Sequence, residues 1–223
     1  MNNKQSTLNT ISKWTIEESL EQRLRIQFTY DLIKKLSFSH FLEFGSDTGY
    51  FTQLIQHNAK AITAVELNKE AVIYAEKTKA CTNVTWIHAN MLDFEFNQKY
   101  DGISFIESLY YLSKDDRNIL LEKTYKHLSD QGYLIFGAPL QLPKSKWKWD
   151  ESYYFKSITE IKNLLRSHNF KIIKQETVTT PYPLLQAFKF PKLYKTLLML
   201  TNQLPFLRSR NITILAKKVN NYP

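Results

Sequence analysis

The sequence predicts an α/β fold with a parallel sheet and helices on both of its faces. Short apolar segments typical of strands alternate with helical patterns over residues 40–140, and alternation at such short intervals is typical of parallel sheets. The glycines all lie at turns or strand ends of this part of the chain, at positions 45, 49, 102, 132 and 137. With 223 residues, of which 43% are hydrophobic, the chain is long enough to form one domain around a sizeable core.

Residue types and their spacing assign the elements in order. Helices are predicted over residues 14–38, 50–57, 68–79, 113–128 and 157–168, the last three capped by Asn68, Ser113 and Ser157. Strands are predicted over residues 40–44, 61–67, 84–90, 100–107, 133–137, 170–178 and 211–219, with a turn at residues 130–132 before the fifth. Ligands of parallel sheets bind at the carboxyl ends of the strands, so we expect the site there.

The first strand leads into a turn, Gly45–Gly49, that precedes a predicted helix. Glycine adopts positive φ without steric cost and lets a ligand approach the backbone closely. A helix that begins after such a turn directs its unpaired N–H groups at the ligand. On these residues alone, a nucleotide-type site and an ordinary strand-to-helix turn are both open.

Two acids narrow the kind of ligand that this turn can hold. Glu66 ends the second strand, 17 residues after Gly49, where a carboxylate can accept hydrogen bonds from both hydroxyls of a ribose. A solvent-facing acid at a strand end is the alternative. Asp47 stands where a dinucleotide-binding turn has its second glycine, so a close-packed pyrophosphate is disfavoured. A ligand with an amino group and a positive charge suits Glu43 and Asp47 better.

The net charge of +9 is unevenly distributed along the chain. Residues 1–140 hold 15 Lys/Arg and 17 Asp/Glu, whereas residues 141–223 hold 15 Lys/Arg and only 4 Asp/Glu. The basic part favours an anionic partner such as a phosphate, a membrane face or a nucleic acid, or else is a solvated surface. A single cysteine, Cys81, excludes an intrachain disulfide and a zinc site made of cysteines. No apolar segment is long enough for a membrane span or a signal peptide, so we expect a cytoplasmic protein.

Taken together, these motifs resemble those of class I S-adenosylmethionine-dependent methyltransferases. Glu43-x-Gly45-x-x-x-Gly49 followed by Glu66 is similar to the first two motifs of that family. The later motifs are matched by Asn90-Met91, by Asp101 with Glu107 to Leu112, and by Leu128 to Gly137. Within the family, Tyr110-Tyr111-Leu112 and Phe136-Gly137 look most similar to nodulation methyltransferases that N-methylate the amino sugar of a chitooligosaccharide.

The resemblance implies S-adenosylmethionine as cofactor, no metal, and a role for each matching residue. Glu66 would hold the ribose, Asn90 and Met91 would frame the adenine, and Arg23 or Arg25 would pair with the cofactor carboxylate. The implied cofactor-binding set is Arg23, Glu43, Gly45, Ser46, Gly49, Glu66, Leu67, Asn90, Met91 and Glu107. The implied catalytic candidates, nearest the expected methyl position, are Glu107, Tyr110 and Tyr111; the two tyrosines are equally open to a packing role. Asn90 replaces the Asp usual in the family, and Asp47 replaces a small residue.

The resemblance also implies a Rossmann-like, seven-stranded, mostly parallel sheet whose last strand is antiparallel, within a single domain over residues 1–223. Its parts are an N-terminal helical cap (1–39), a cofactor-binding core (40–140), a basic loop with a helix and a strand (141–178), a substrate-side insertion (179–210), and a final strand with its tail (211–223). The insertion contains four prolines, which favour a substrate cap over one continuous amphipathic helix at a membrane surface.

Other residues could also take part in binding or catalysis, but each has an ordinary structural explanation. The loop Lys144-Ser-Lys-Trp-Lys-Trp149 can stack on a sugar or meet a phosphate, or its tryptophans can be buried. His88 alternates with apolar neighbours in a strand, which favours a structural role. His127 lies near a helix C-terminus, where a cation is favoured in any case.

The most consistent function is methyl transfer to a small-molecule acceptor, with an amino or hydroxyl group of a saccharide or glycoconjugate as the best candidate. The basic C-terminal part suggests a nucleic-acid methyltransferase as an alternative, but Glu107-Ser-Leu-Tyr110 stands where such enzymes carry an Asn/Asp-Pro-Pro-aromatic motif. A non-catalytic cofactor-binding module is the third possibility. We expect a sugar-containing or anionic acceptor, no nucleic acid, and at most peripheral contact with a membrane.

Overall fold

The computed structural model describes residues 20–140, 155–181 and 208–220. Seven strands form one sheet in the order β3-β2-β1-β4-β5-β7-β6. They are β1 (Phe38–Phe44), β2 (Ala59–Glu66), β3 (Val84–His88), β4 (Tyr100–Ile106), β5 (Leu128–Leu140), β6 (Phe170–Pro181) and β7 (Arg208–Lys218). The first five strands pair in parallel, and β7 runs antiparallel to both β5 and β6. The predicted seven-stranded, mostly parallel sheet with an antiparallel last strand is confirmed.

Within the described ranges, five α-helices flank the sheet: α1 (Leu20–Ile33), α2 (Tyr50–Ile55), α3 (Lys69–Thr78), α4 (Lys114–His127) and α5 (Ile158–Ser167). The three predicted N-caps are confirmed. The side chain of Asn68 accepts the N–H groups of Glu70 and Ala71 at 3.0 and 3.3 Å. Ser113 accepts the N–H of Asp116, and Ser157 accepts the N–H of Glu160, each at 3.1 Å.

The core lies on both faces of the sheet because side chains alternate along each strand. In β1, Phe41 belongs to the cluster beneath α1 and α2, and its neighbour Leu42 belongs to the cluster beneath α4 and α5. The predicted placement of helices on both faces is therefore confirmed. Among the described helices, none is long and apolar enough to cross a membrane.

Several predicted boundaries are wrong, among them those of β5, β6 and β7, which begin or end three or more residues beyond the predicted strands. The first helix ends at Ile33, and Phe38 begins β1 because its ring packs in the core, 4.9 Å from the ring of Phe41. The helix predicted over 50–57 is shorter and ends in a 3₁₀ turn, Gln56–Asn58. The turn predicted at residues 130–132 is an irregularity inside β5, where Gln131 has φ 69° and pairing shifts between Tyr100 and Gly102.

Several predictions concern residues outside the described ranges. These are the start of the N-terminal helical cap, the basic loop at residues 144–149, and most of the insertion at residues 179–210.

Candidate functional site

The carboxyl ends of β1, β2 and β4 bring most of the predicted site residues to one edge of the sheet. The glycine turn, Gly45–Gly49, follows β1 and has positive φ at Gly45 (76°), Asp47 (47°) and Gly49 (80°). Its Gly45 N–H donates to the carbonyl of Val65 in β2 at 2.8 Å, and its Gly49 N–H donates to that of Ser46 at 2.8 Å. Backbone hydrogen bonds therefore hold the turn against the neighbouring strand.

Two packing contacts explain why glycines stand in this turn. A Cβ added to Gly45 would lie 2.6 Å from the Cβ of Ser108, and one added to Gly49 would lie 2.5 Å from Cη2 of Trp86. Ser108 is itself buried, and its hydroxyl donates to the carbonyl of Phe44 at 2.9 Å. Sequence reasoning missed Ser108 and Trp86 because both are far from the turn in the chain, Ser108 just after β4 and Trp86 in β3.

Glu66 lies beside the turn with its carboxylate held in place by backbone N–H groups. Oε2 accepts the N–H of Asp47 at 2.9 Å, and Oε1 accepts the N–H of Asn68 at 2.8 Å. Each carboxylate oxygen can accept a further hydrogen bond, so the oriented group can still receive two hydroxyls. This geometry fits the predicted ribose contact.

Glu43 lies in β1 beneath the turn and is buried. The hydroxyl of Thr52 donates to its Oε2 at 2.6 Å. Burial raises the pKa of Glu43 to about 8; the Thr52 hydrogen bond opposes this shift, and the nearby charges of Glu66 and Asp47 add to it. Glu43 therefore supports the turn from below as a largely neutral carboxyl at neutral pH.

Helix α1 borders the site from the other side. Arg25 Nη1 donates to Asn211 Oδ1 of β7 at 3.0 Å, and the hydroxyls of Thr29 and Thr213 are 2.9 Å apart. Within the described ranges, the buried polar atoms of α1 and the glycine turn that lack a partner include Arg23 Nε, Arg25 Nε, Ser46 Oγ and Thr48 Oγ1. Buried polar atoms without partners cost about 1–3 kcal/mol each. Their presence fits a polar ligand that carries a carboxylate and hydroxyl groups, as S-adenosylmethionine does.

The predicted adenine contacts lie at the ends of β2 and β3. Leu67 is 52% exposed directly after Glu66, and its carbonyl is 3.1 Å from Nε2 of His88. Asn90 Oδ1 accepts the N–H of Leu92 at 3.0 Å, and Met91 is half-buried against the core. The exposed Leu67 side chain offers an apolar surface, and the Asn90 amide offers a polar group in a fixed position. A purine ring can lie against such a pair.

The second functional segment is the tyrosine turn, Glu107–Tyr111, which follows β4. Glu107 has φ 55°, and its N–H donates to the carbonyl of Gly137 at 2.9 Å. Positive φ is uncommon in residues other than glycine and is concentrated at functional sites. The ring of Tyr110 is buried, whereas Tyr111 is 64% exposed.

The two tyrosine rings pack against each other with their planes tilted by 36°. Their ring centroids are 4.4 Å apart, and the hydroxyl of Tyr110 donates to that of Tyr111 at 3.1 Å. Desolvation of the hydroxyl raises the pKa of Tyr111, and the hydrogen bond from Tyr110 opposes this rise. The negative charges of Glu107 and Asp47 also raise the pKa, whereas the positive charge of Arg25 lowers it. Tyr111 is therefore within electrostatic range of both the glycine turn and α1.

The structure does not bring His127 to this edge. Its ring stacks on Phe96 with centroids 4.5 Å apart, and its Nδ1 is 2.9 Å from the carbonyl of Lys123, where α4 leads into β5. These contacts account for His127 as a structural residue.

Comparisons with known proteins agree with this fold. A family model described as nodulation protein S (NodS) matches residues 4–174. Nodulation protein S of Azorhizobium caulinodans is 26% identical over 142 residues, which cover 63% of this chain and 69% of that protein. A malonyl-[acyl-carrier protein] O-methyltransferase of Priestia megaterium is 28% identical over 190 residues, covering 71% of this chain and 69% of that protein.

Among solved structures, the N-methyltransferase NodS from Bradyrhizobium japonicum WM9, in complex with S-adenosyl-L-homocysteine, has the same fold. It superposes with a TM-score of 0.70 at 18% sequence identity, covering 96% of this chain and 95% of that chain. The two enzymes named as an N- and an O-methyltransferase differ in the acceptor atom, so likeness alone leaves that atom open.

Proposed function

The chain belongs to the nodulation protein S family of class I S-adenosylmethionine-dependent methyltransferases, and we propose that it methylates an amino group of a saccharide. A hydroxyl group of a saccharide or glycoconjugate is the alternative acceptor. The observation that carries the proposal is the tyrosine turn, where the Glu107 carboxylate, at positive φ, precedes an exposed tyrosine ring at the rim of the site.

We propose that the chain's own residues hold the cofactor as follows. Glu66 accepts the ribose hydroxyls, and the glycine turn with Gly45 and Ser46 borders the amino-acid end. Leu67, Asn90 and Met91 border the adenine. Arg23 or Arg25 pairs with the cofactor carboxylate, since each has a buried Nε that lacks a partner among the described residues. Glu43 lies beneath the glycine turn, and Gly49 closes that turn through its N–H bond to the carbonyl of Ser46.

Bound S-adenosylmethionine would supply an activated methyl group to the lone pair of the acceptor nitrogen, with a neutral thioether as the leaving group. The protein then has two tasks, to align the acceptor and to remove its proton. Alignment supplies most of the acceleration in such a transfer. Glu107 takes the proton directly or through a water, and the Tyr110–Tyr111 pair borders the acceptor.

The charge of the rim favours an amine over a hydroxyl. An amine in its protonated form is attracted to the carboxylates of Glu107 and Asp47, and a carboxylate can take its proton near neutral pH. A hydroxyl group holds its proton far more tightly and needs a stronger base. Of the described lysines of β6 and β7, Lys171, Lys217 and Lys218 lie toward the opposite edge of the sheet, so these three do not favour a nucleic acid at this site.

A panel of acceptors with labelled S-adenosylmethionine tests the proposal. We expect methyl transfer to a β-1,4-linked glucosamine tetramer and none to its fully N-acetylated counterpart. Labelling of the acetylated tetramer would move the acceptor to a hydroxyl, and labelling of transfer RNA alone would overturn the saccharide proposal.

The role of Glu107 has its own test. Glu107→Gln should lower kcat about 100-fold at neutral pH, within the range for loss of a general base. The loss should shrink as the pH rises, because the free amine then forms without the carboxylate. Turnover that is unchanged in Glu107→Gln would exclude this role.

A further inference from the structure

Arg117, near the start of α4, is 2% exposed and points beneath the tyrosine turn. Its Nε donates to the carbonyl of Leu109 at 3.3 Å, and its Nη2 donates to that of Tyr110 at 3.0 Å. Its guanidinium lies over the ring of Phe155, 4.5 Å from the centroid. No catalytic or cofactor-binding role predicted from the sequence involves this residue.

Burial of a guanidinium is costly unless its donors are satisfied, so the partners of a buried arginine are informative. Here the identified partners are the two backbone carbonyls of one short turn. The donors of a guanidinium have a fixed planar arrangement, so they hold the two carbonyls in a fixed relation to each other. A lysine has a single ammonium on a flexible stem and does not reproduce this constraint.

The constraint extends from the turn to the exposed ring. The N–H of Tyr111 donates to the carbonyl of Ser108 at 3.2 Å, which closes the 3₁₀ turn. The Tyr110 ring is part of the buried core and packs against the Tyr111 ring at a tilt of 36°. With the backbone of Tyr110 fixed by Arg117, the Tyr111 ring packs against a fixed neighbour, and much of the Tyr111 ring remains exposed.

We propose that Arg117 is a positioning residue that presets Tyr111 as the stacking surface for a sugar ring of the acceptor. The proposal rests on the saccharide acceptor described above. The apolar C–H face of a pyranose ring can lie flat on an aromatic ring, which supplies a large rigid contact surface. Because Tyr111 is ordered in advance, less conformational entropy is lost when the acceptor binds. Arg117 therefore acts on acceptor binding through Tyr111 and leaves the glycine turn unaffected.

The first test compares acceptor and cofactor binding in Arg117→Lys. The glucosamine tetramer should show a KM raised about tenfold, the size expected when a bound group is misplaced by a fraction of an ångström. The Kd of S-adenosylmethionine, measured by calorimetry, should stay within about twofold of wild type, because the glycine turn is untouched. Equal losses in both quantities would contradict the proposal.

A double-mutant cycle shows whether Arg117 acts through Tyr111. Tyr111→Leu should raise the KM of the tetramer, and Arg117→Lys should then add little in the Tyr111→Leu background. Full additivity would mean that Arg117 affects the acceptor by another route and would overturn the proposal. Thr124→Val is the matched control, since it removes a buried hydrogen bond of the same helix, to Leu120, without contact to the turn. It should lower stability and leave the KM unchanged.

A spectroscopic measurement separates this proposal from the choice of acceptor. In protein labelled with 3-fluorotyrosine, the ¹⁹F resonance of Tyr111 is identified by its loss in Tyr111→Phe. It should move or broaden in Arg117→Lys and in Phe155→Leu, and stay in place in Thr124→Val. If the resonance responds while no saccharide is methylated, the acceptor is wrong and the positioning role stands. An unmoved resonance in both Arg117→Lys and Phe155→Leu would overturn that role.

Discussion

The glycine turn and the tyrosine turn follow neighbouring parallel strands, yet they are built in different ways. The glycine turn is fixed by hydrogen bonds to β2 and by glycines that leave room for Ser108 and Trp86. The tyrosine turn contains no glycine, and a buried arginine of the next helix holds its carbonyls. Both contain a non-glycine residue at positive φ, Asp47 in one and Glu107 in the other.

The different construction of the two turns fits two different tasks within one site, cofactor binding and acceptor binding. The glycine turn has a shape fixed by its backbone, as expected of a surface that holds the same cofactor in every cycle. The tyrosine turn carries its chemistry in side chains on a backbone that Arg117 supports from outside, so its surface can change by substitution while the support is kept. We infer that the first turn serves the cofactor and the second serves the acceptor.

The largest expected effect is a pH-dependent change in the free energy of unfolding caused by Glu43, the buried carboxyl beneath the glycine turn. Among the described residues, the tyrosine turn has no buried carboxyl of this kind. Its pKa of about 8 in the folded protein lies above the ordinary value of 4.5. The folded state therefore keeps a proton that the unfolded chain releases, so the contribution of Glu43 to stability is lost as the pH rises from about 4.5 through 8. Relative to Glu43→Gln, wild type should lose about 1.4 kcal/mol per pH unit in this window, up to about 5 kcal/mol.

Urea unfolding of both proteins at closely spaced pH values measures this difference directly. The two stability curves should diverge toward alkaline pH. Parallel curves would show that Glu43 is not a protonated carboxyl in the folded protein.

Gly45→Ala tests whether the shape of the glycine turn is essential. A methyl group there would overlap Ser108 at a residue with positive φ, so we expect a loss of about 3 kcal/mol in the free energy of unfolding. Gly137→Ala is the matched control, because a Cβ there would meet Ile106 at an ordinary 3.6 Å. Thermal or urea unfolding compares them, and similar losses in the two variants would contradict the account of Gly45.

Tyr111→Phe should have the smallest effect and separates the ring from its hydroxyl. The variant keeps the stacking surface and loses only the hydrogen bond from Tyr110, so the KM of the glucosamine tetramer should change by about threefold or less. Steady-state kinetics beside Tyr111→Leu give the comparison. A loss in Tyr111→Phe as large as that in Tyr111→Leu would assign the effect to the hydroxyl.

Local chemistry made part of this structure predictable from the sequence. Asn68, Ser113 and Ser157 cap their helices through bonds that span two or three residues, and the position of Glu66 follows from the end of its strand. The sheet followed from the alternation of strands and helices. Each of these features depends on residues that are close together in the chain.

The features that were not predicted depend on contacts between distant parts of the chain. Phe38 begins a strand because its ring packs in the core, 6.4 Å from the ring of Tyr133 in β5, and Gly49 is constrained by Trp86, 37 residues away. Arg117 lies in a helix rich in charged residues, and nothing in its neighbours marks it as buried. Its partners, the carbonyls of the tyrosine turn and the ring of Phe155, are brought together only by the fold.

Calorimetry with S-adenosylmethionine on wild type and Glu66→Ala tests the central claim most directly, that the edge formed by the glycine turn and Glu66 is the cofactor site. Wild type should bind at one site per chain. Glu66→Ala should bind at least about tenfold more weakly, because it loses hydrogen bonds to a charged group. The exposed Glu70, in the first turn of α3, supplies the control Glu70→Gln, which should bind as wild type does. Equal affinity in wild type and Glu66→Ala, or no binding to wild type, would contradict the account.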